Sequence, residues 1–403
     1  MSARPSLLRD RKGHESGRVS MVELFFDLVF VFAVTQCSHF LLGHLTEAGV
    51  RELSVMLLAM WWVWIYTSWV TNWLDPERMP VRICLFVLML AGLLFSVSIP
   101  QAFAERGLVF AGAYVFMQVG RTLFFLWAAR GAPHLTRTFQ RITVWFVVSG
   151  ALWIAGGFAE PQARYGWWLA ALLIEFVAPL VYMWVPGLGR SHTQEWDVDG
   201  NHLSERCALF VIIALGESLL VTGATFAELQ WNATNIAAFA TAVLGSIAIW
   251  WIYFDTGAER ARHRIAHSSD PGRQARAGYT YMHAFIVGGI IVCAAGDELV
   301  LMHPDHATDP GITAILGGPA LYLMGSALFK WVMNDRRAPP FSHLIGLALL
   351  GLLAWPAYAH MLSALLIGAA TTAVLIVVAV WEFLALRRAP RREDSAELAR
   401  EHQ

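Results

Sequence analysis

Apolar runs of about 20 residues recur along the whole chain, and they restrict its fold more than any other feature of the sequence. A helix of this length crosses the hydrocarbon core of a bilayer at about 1.5 Å per residue. Only 15% of the residues are charged, compared with roughly 25% in soluble domains. The sequence therefore predicts an all-α, polytopic transmembrane bundle of about 12 helices. The predicted spans are about 21–42, 52–74, 81–100, 107–129, 140–158, 164–185, 207–226, 233–256, 279–298, 312–333, 342–360 and 363–386. If the final hairpin is one re-entrant element, the count falls to eleven.

The charges between the spans predict how the chain is oriented. Lys and Arg are concentrated at alternate ends of the spans, and the opposite ends carry only Arg51, Arg106 and Arg164. Because positively charged loops favour the cytoplasmic side, we expect an even number of spans and both termini in the cytoplasm. The polar N-terminus has no short apolar core with a cleavage site, so a cytoplasmic tail is predicted rather than a signal peptide. A net charge of −1 gives no reason to expect nucleic acid as a partner.

The order of charged and aromatic residues predicts an internal repeat. Four pairs recur in the same order along the chain: Glu23 with Glu205, Trp61 with Trp250, Arg121 with Lys330, and Glu175 with Glu382. Two parallel six-helix pseudo-repeats, related by an axis near the membrane normal, would produce this order. The predicted divisions are a basic cytoplasmic tail (1–18), a first six-helix half (19–186), a cytoplasmic linker (187–204), a second half (205–387) and a charged cytoplasmic tail (388–403).

The first span concentrates more polar and ionisable residues than any other. Glu23 and Asp27 are four residues apart, which places both carboxylates on one face of a helix. A charge in hydrocarbon costs from a few to roughly 10 kcal/mol, so such groups usually face a bundle interior or a water-filled path. Two explanations stay open. The carboxylates either lie at the interface and hold the basic tail, or they share a proton or bind a cation.

Further candidates lie in the other spans. Glu217 falls near the middle of the seventh span, where it is either a neutral acid that holds a neighbouring helix or a proton or cation site. Glu205 and Arg206 fall at the membrane boundary and can pair with each other. Arg121 is predicted to be the counter-ion of a buried carboxylate. The predicted ion-coupling residues are Glu23, Asp27, Arg121, Glu175, Glu205, Arg206 and Glu217. The predicted pocket-lining residues are Phe26, His39, Trp62 and Trp250, although tryptophans in such numbers also form interface belts and packing contacts.

Metal, cofactor and hydrolase chemistry have no positive support in the sequence. The four cysteines lie singly in different apolar segments, as buried small hydrophobic residues do. A short cluster falls in a predicted outer loop, Asp297 to Asp309, and its members are His303, Asp305, His306 and Asp309. It could hold a divalent metal, but it is interpreted as part of a hydrophilic loop. Patterns for a phosphate-binding loop, a nucleophile elbow or an HExxH zinc site are absent. We therefore expect no metal, no cofactor and no enzymatic activity.

Two motifs resemble the bacterial low temperature requirement A family: ELFFDLVFVFAVTQCSHFL, which begins at Glu23, and HLSERCALFVIIALGESLL, which begins at His202. The resemblance extends from about Arg18 to the cluster of arginines at Arg387. It implies an integral membrane protein with many spans, linked by the family name to growth at low temperature. It implies no particular substrate. The residues it marks are Glu23, Phe26, Asp27, Glu205, Arg206, Gly216 and Glu217.

The leading hypothesis for function is a secondary transporter of a small solute or ion whose path runs between the two halves. Asp27 and Glu217 would be the coupling carboxylates, Glu23 and Glu205 gating or supporting groups, and Arg121 the counter-ion. A cation channel through the same acidic groups is one alternative. A lipid or membrane-homeostasis factor without transport activity is another. The expected partners are the lipid bilayer and the solute, proton or cation, and the sequence predicts no oligomeric state.

Overall fold

The computed structural model describes residues 6–10, 18–193, 196–266, 268–333 and 338–388. Within these ranges the regular structure is helical, apart from two isolated bridge pairs. The helices are α1 (Met21–Gly43), α2 (Glu47–Trp73), α3 (Met79–Ser98), α4 (Gly107–Val115), α5 (Arg121–Ala128), α6 (Pro133–Phe158), α7 (Pro161–Leu180), α8 (Gly200–Glu228), α9 (Ala233–Tyr253), α10 (Glu259–Ala266), α11 (Pro271–Gln274), α12 (His283–Met302), α13 (Asp309–Met333), α14 (Phe341–Tyr358) and α15 (Ala364–Arg388). A short 3₁₀ turn, Ile99–Gln101, extends α3. Three π-helical turns connect helices without a break: Phe116–Gly120, Phe254–Ala258 and Ala275–Met282.

Eleven helical segments among the described residues are long and apolar enough to cross a membrane. This finding confirms the predicted all-α, multi-pass bundle. The predicted final hairpin is two separate helices, α14 and α15, and both are among the eleven. The predicted sixth span corresponds to α7, a 20-residue helix that carries Arg164 and Glu175 and is not among them.

Local sequence signals set where the helices of the site begin. Ser20 caps α1 in a capping box: its hydroxyl accepts from the Glu23 amide, and the Glu23 carboxylate accepts from the Ser20 amide. Asp199 caps α8 by accepting from the His202 amide at 3.1 Å. These caps leave Glu23 and His202 in the first turn of their helices. We call the end of the bundle at which α1 begins the near face, and the end at which α1 finishes the far face.

The most deeply enclosed helix is α2, and every residue from Ala59 to Trp73 is buried. It packs against α1, α7, α8 and α12, as expected of a helix that is apolar on all sides. Its tryptophans also make polar contacts. Trp61 Nε1 donates to the Thr280 carbonyl at 2.7 Å, and Trp69 Nε1 donates to the Thr280 hydroxyl at 3.0 Å. The π-helical turn before α12 is therefore tied to α2.

The closest helix pair is α12 and α13, and glycines permit the approach. A Cβ atom added to Gly289 would lie 2.5 Å from the backbone nitrogen of Tyr322. A Cβ on Gly318 or Gly325 of α13 would lie equally close to the backbone of α12. Small residues at such positions let membrane helices pack backbone to backbone. These two helices are therefore in direct backbone contact along much of their length.

The predicted repeat and its domain boundaries stay predictions, although helix neighbours recur in both halves. α1 packs on α2 and α3, as α8 packs on α9 and α12, and α6 packs on α7, as α14 packs on α15. The predicted linker 187–204 is shorter in the structure, because α8 begins at Gly200. Much of the predicted tail 1–18 and the residues after 388 lie outside the described ranges.

Candidate functional site

The main polar site lies where α1 and α8, the first helices of the two predicted halves, meet. Glu23 Oε1 is 2.8 Å from His202 Nε2, and Arg206 Nη2 donates to Asp27 Oδ1 at 2.8 Å. Both contacts join residues that are 179 positions apart. Two acids spaced four residues apart on α1 therefore face a histidine and an arginine with the same spacing on α8. We call this set, with its supporting residues Arg9, Trp64, Ser68 and Asn72, the near cluster.

Glu23 is fully buried, and several donors surround its carboxylate. Oε2 accepts from Arg9 Nη2 at 2.8 Å, from the Ser20 amide at 2.8 Å and from the Ser20 hydroxyl at 3.0 Å. Oε1 faces His202, and Arg206 Nη1 lies 3.8 Å from it. Glu23 thus combines a helix cap with two charged contacts, which satisfies a carboxylate that would otherwise be costly to bury.

Asp27 and Arg206 form a second, less complete contact one turn deeper. Both side chains are fully buried. Asp27 Oδ1 also accepts from Trp64 Nε1 at 2.8 Å, and Arg206 Nη2 also donates to Ser68 Oγ at 3.3 Å. Asp27 Oδ2 and the Nε and Nη1 atoms of Arg206 have no hydrogen-bond partner among the described residues. Buried native groups are nearly always hydrogen-bonded to protein or to ordered water, so these atoms can each take part in a further hydrogen bond.

His202 and Arg9 connect the near cluster to the near face. Asn72 Nδ2 donates to the Asp199 carbonyl at 2.8 Å and lies 3.2 Å from His202 Nδ1. In the tautomer with the proton on Nε2, His202 accepts from Asn72 and donates to Glu23. Arg9 Nε donates to the carbonyls of Thr71 and Leu74 at 2.7 and 3.2 Å, which fixes residues 6–10 against the end of α2.

Aromatic rings separate the near cluster from the rest of the contact between α1 and α8. The Phe210 ring lies 4.3 Å from the Trp64 ring, 5.7 Å from Trp61 and 6.4 Å from Phe30, measured between centroids. All four residues are buried. We call these rings the aromatic plug. It packs between α1 and α8 on the far side of Asp27.

A second polar network joins α4, α5, α6 and α7. The Glu175 carboxylate accepts from Tyr114, from Ser149 at 2.7 Å and from Trp153 at 3.0 Å, and Gln118 extends the network from Tyr114 to Arg121. The π-helical turn Phe116–Gly120 contains Gln118, and such turns often occur at functional sites. In the second half, Lys330 of α13 pairs with Glu382 of α15. Equivalent helices of the two predicted halves are thus joined by polar contacts.

The structure corrects the predicted counter-ion. Arg121 donates to the Val63 carbonyl at 3.1 Å and to Thr67 at 3.0 Å, and it forms no ion pair among the described residues. Val63 and Thr67 lie on a different face of α2 from Trp64, which contacts Asp27. The partner of Asp27 is Arg206, which was expected to pair with Glu205. Successive helical residues point about 100° apart, so Arg206 reaches α1 while Glu205 stays partly exposed.

Glu217 lines a separate pocket near the far face. Its position on α8 continues the face that carries His202, Arg206 and Phe210, because the spacings of four, four and seven residues follow the helical repeat. The pocket has a volume of about 270 Å³. We call it the far pocket, and its lining residues are His39, Glu217, Leu220, Val221, Ala224, Thr225 and Glu298. It contains three ionisable groups from three different helices.

The other predicted pocket residues have different surroundings. Phe26 and Trp62 are buried in the core, where Phe26 packs on Phe30 and Trp62 stacks on Phe176 at 4.0 Å between centroids. Trp250 is 47% exposed on α9. Phe26 and Trp62 are therefore packing residues and Trp250 is a surface residue, and the three do not line a shared pocket. His39 alone of the four lines the far pocket.

The sequence did not identify several residues of the two sites, among them Arg9, Trp64, His202 and Glu298. Arg9 was counted as part of a basic tail, and Trp64 was grouped with the other tryptophans of α2. His202 lies four residues before Arg206, and this spacing was the available signal for a match with Glu23 and Asp27. Glu298 was assigned to an outer loop, but α12 continues to Met302 and carries it inside the bundle.

Comparison with known proteins is consistent with the membrane architecture. Residues 18–380 match the family described as bacterial low temperature requirement A protein (LtrA), which confirms the resemblance seen in the two motifs. An uncharacterized protein from Rhizobium meliloti (strain 1021) is 42% identical over 385 residues, which cover 94% of this chain and 93% of that protein. No solved structure matches the chain. The chain is a multi-pass integral membrane protein, and because the family match covers nearly its whole length, it belongs to the bacterial low temperature requirement A family.

Proposed function

We propose that the protein is a secondary transporter of a small solute or ion in the bacterial inner membrane, with both termini in the cytoplasm and no enzymatic activity. Its path follows the contact between α1 and α8, from the near cluster past the aromatic plug to the far pocket. In this proposal Asp27 and Glu217 are the coupling carboxylates. Arg206 replaces Arg121 as the counter-ion.

The observation that carries the proposal is the incomplete pairing of Asp27 and Arg206. Burying two charges is expensive, and a buried ion pair recovers that cost only when its remaining hydrogen bonds are satisfied. Here one carboxylate oxygen and two guanidinium nitrogens have no hydrogen-bond partner among the described residues, although one of these nitrogens, Nη1, lies 3.8 Å from Glu23 Oε1. Ionisable groups inside membrane spans commonly mark ion or substrate paths. Unused capacity at such a pair supports binding of a proton, an ion or a polar solute.

Arg206 has two alternative carboxylate partners, which supports a coupling role. It bonds to Asp27 at 2.8 Å, and its Nη1 atom lies 3.8 Å from Glu23 Oε1. Protonation of Asp27 would remove the charge that holds Arg206, and Glu23 is near enough to accept the guanidinium after a small shift. One proton would then change the contact between the two halves. A change of this kind provides the two states that a carrier requires.

The closed path favours a carrier over a channel. The aromatic plug blocks the route on the far side of Asp27, and Arg9 covers Glu23 on the near side. A conducting pore needs a continuous polar route, whereas a carrier exposes its site to one face at a time. A saturable flux coupled to a second ion would agree with this interpretation. An ohmic single-channel current would instead identify a channel.

The test is flux into proteoliposomes that contain the purified protein, followed with a pH dye and a membrane-potential dye. Cations and small anions would be screened with the wild type, Asp27→Asn and Glu217→Gln. Glu228→Gln, an exposed carboxylate at the end of α8, is the matched control. We expect flux in the wild type and the control and loss of flux in both variants. Unchanged flux in Asp27→Asn would refute the proposed path, and altered lipid composition in a deletion strain without any flux would favour a lipid role.

A further inference from the structure

The far pocket contains two carboxylates that form no hydrogen bond or ion pair among the described residues, although His39 interacts electrostatically with Glu298. Glu217 is only 6% exposed and has no hydrogen bond or ion pair among the described residues. Glu298 Oε2 is buried and also has no hydrogen-bond partner there. An unpaired buried carboxylate is costly, and a bound cation removes much of that cost. The two carboxylates of the pocket therefore favour binding of a positively charged ligand.

The shape of the pocket distinguishes between kinds of cation. Among the described residues no three His, Cys, Asp or Glu side chains converge as the ligands of one metal ion. The volume of about 270 Å³ is also several times the share of one water molecule in the liquid, about 30 Å³. A bare inorganic ion would leave most of this space unfilled. A larger ligand with its charge at one or two points fits the separated carboxylates better.

Beside Glu217 the wall of the pocket is apolar and partly exposed, since Leu220 is 67% exposed. Leu220, Val221 and Ala224 follow Glu217 at spacings of three, four and seven residues, so they form one stripe on α8. Small-molecule sites typically combine such a surface with a few polar groups that orient the ligand. A hydrocarbon chain can lie along this stripe while an ammonium group contacts a carboxylate.

We propose that the far pocket binds a small organic cation, an alkylamine or diamine, with its ammonium groups at Glu217 and Glu298 and its hydrocarbon body on the apolar stripe. His39 lines the third side of the pocket. The inference rests on the proposed transport function, because it assigns the far pocket as the place where the substrate is loaded. Binding itself requires no flux and can be measured separately.

The experiment is calorimetric titration of the protein in lipid nanodiscs at fixed ionic strength, with 1,4-diaminobutane and tetramethylammonium as probes and Na⁺ and Ca²⁺ as comparisons. We expect saturable binding of 1,4-diaminobutane. Its Kd should rise by about tenfold to a hundredfold in Glu217→Gln and in Glu298→Gln, the effect of losing one charged hydrogen bond. Asp297→Asn is the matched control, because Asp297 is adjacent on α12 but lines a different cavity. Its Kd should be unchanged.

A second variant keeps the test decisive if a Glu→Gln protein fails to fold. Ala224→Leu enlarges a side chain that lines the pocket without altering any charge. Ala227→Leu is its control, because both positions are exposed on the same helix but Ala227 does not line the pocket. Loss of binding in Ala224→Leu alone supports the site.

Three results would overturn the site: no saturable amine binding by the wild type, an equal loss in Asp297→Asn, or binding of Ca²⁺ or Na⁺ in place of the amines. Amine binding without flux in proteoliposomes would support the site while refuting transport.

Discussion

The Asp27–Arg206 pair allows a quantitative test, because replacing Arg206 and replacing Asp27 leave different charges buried without this partner. Arg206→Met removes the only ion-pair partner of Asp27 among the described residues and leaves a buried carboxylate held by Trp64 alone. Breaking a buried pair in this way costs about 3–5 kcal/mol. Asp27→Asn leaves Arg206 charged, but Glu23 lies 3.8 Å from its Nη1 atom. We therefore expect Asp27→Asn to cost less than Arg206→Met.

The double variant removes both charges together and should cost less than the sum of the single variants. Residues in one ion-pair network typically show coupling energies up to about 3 kcal/mol, and full burial places this pair near the upper end, at about 2–3 kcal/mol. The free energy of unfolding can be measured by titration with sodium dodecyl sulfate in mixed micelles. Tryptophan fluorescence is a suitable signal, because the chain contains 18 tryptophans.

A surface pair of the same residue types is the control. Arg78 Nε lies 3.2 Å from Asp75 Oδ2, and these side chains are 46% and 24% exposed. The corresponding cycle, Asp75→Asn with Arg78→Met, should give a coupling energy below about 1 kcal/mol. If the coupling energy of the Asp27 and Arg206 variants is as small as that of the surface pair, the two buried charges are not coupled. The reasoning about the near cluster would then be wrong.

Two further predictions concern packing and buried polar groups. Gly289→Ala should destabilise the protein by about 1–3 kcal/mol, because the new methyl group would lie 2.5 Å from the Tyr322 backbone nitrogen. Gly317→Ala should have little effect, because its methyl group would meet no atom within 4 Å. Glu175→Gln should lower the free energy of unfolding by about 1–3 kcal/mol, because it replaces a buried acceptor that has three donors. Glu160→Gln should be nearly neutral, because Glu160 is exposed. The same unfolding titration measures both, and equal effects in a variant and its control would contradict the explanation.

The sequence predicted the bundle well because hydropathy reports directly on the cost of placing side chains in lipid. The same cost argument selected Glu23, Asp27 and Glu217, and the structure buries all three. It could not identify their partners. Two acids and two basic residues with matching spacing of four are visible in the sequence, but their pairing depends on α1 lying beside α8. That contact joins residues 179 positions apart.

Boundary errors concealed part of the far pocket. Asp297 and Glu298 were predicted to end the ninth span and begin an outer loop, yet α12 continues to Met302. A helix does not end where its side chains become polar, because its backbone hydrogen bonds continue. The predicted span stopped at residue 298, and the structure instead has a helix whose last turns carry two carboxylates into two different cavities.

The near cluster also bears on whether α7 crosses the membrane. Because Glu23 contacts His202 and Asp27 contacts Arg206, α1 and α8 begin at the same face of the bundle. From the start of α1 to the start of α8, five segments are long and apolar enough to cross the membrane: α1, α2, α3, the continuous α4–α5 and α6. An odd number of crossings would leave α8 at the far face. A sixth crossing is therefore needed, and α7 is the remaining helix.

The contacts of α7 agree with a crossing from the far face to the near face. At its start, Arg164 Nη1 donates to the carbonyls of Ala102 and Ala104 in the turn between α3 and α4, and at its end the Pro179 carbonyl accepts from Arg276, just before α12. Its Arg164 and Glu175 lower its hydropathy, but both side chains are buried against protein rather than lipid.

We therefore predict that residues at the two ends of α7 face opposite sides of the membrane. Gln162→Cys and Arg190→Cys, at exposed positions before and after the helix's buried stretch, can be introduced singly into a protein whose four cysteines are replaced. A membrane-impermeant maleimide added to sealed, oriented vesicles should label one variant from outside and the other only after permeabilisation. Labelling of both from the same side would show that α7 does not cross. The parallel orientation of α1 and α8 would then require another explanation. The prediction of two six-helix halves would also be wrong.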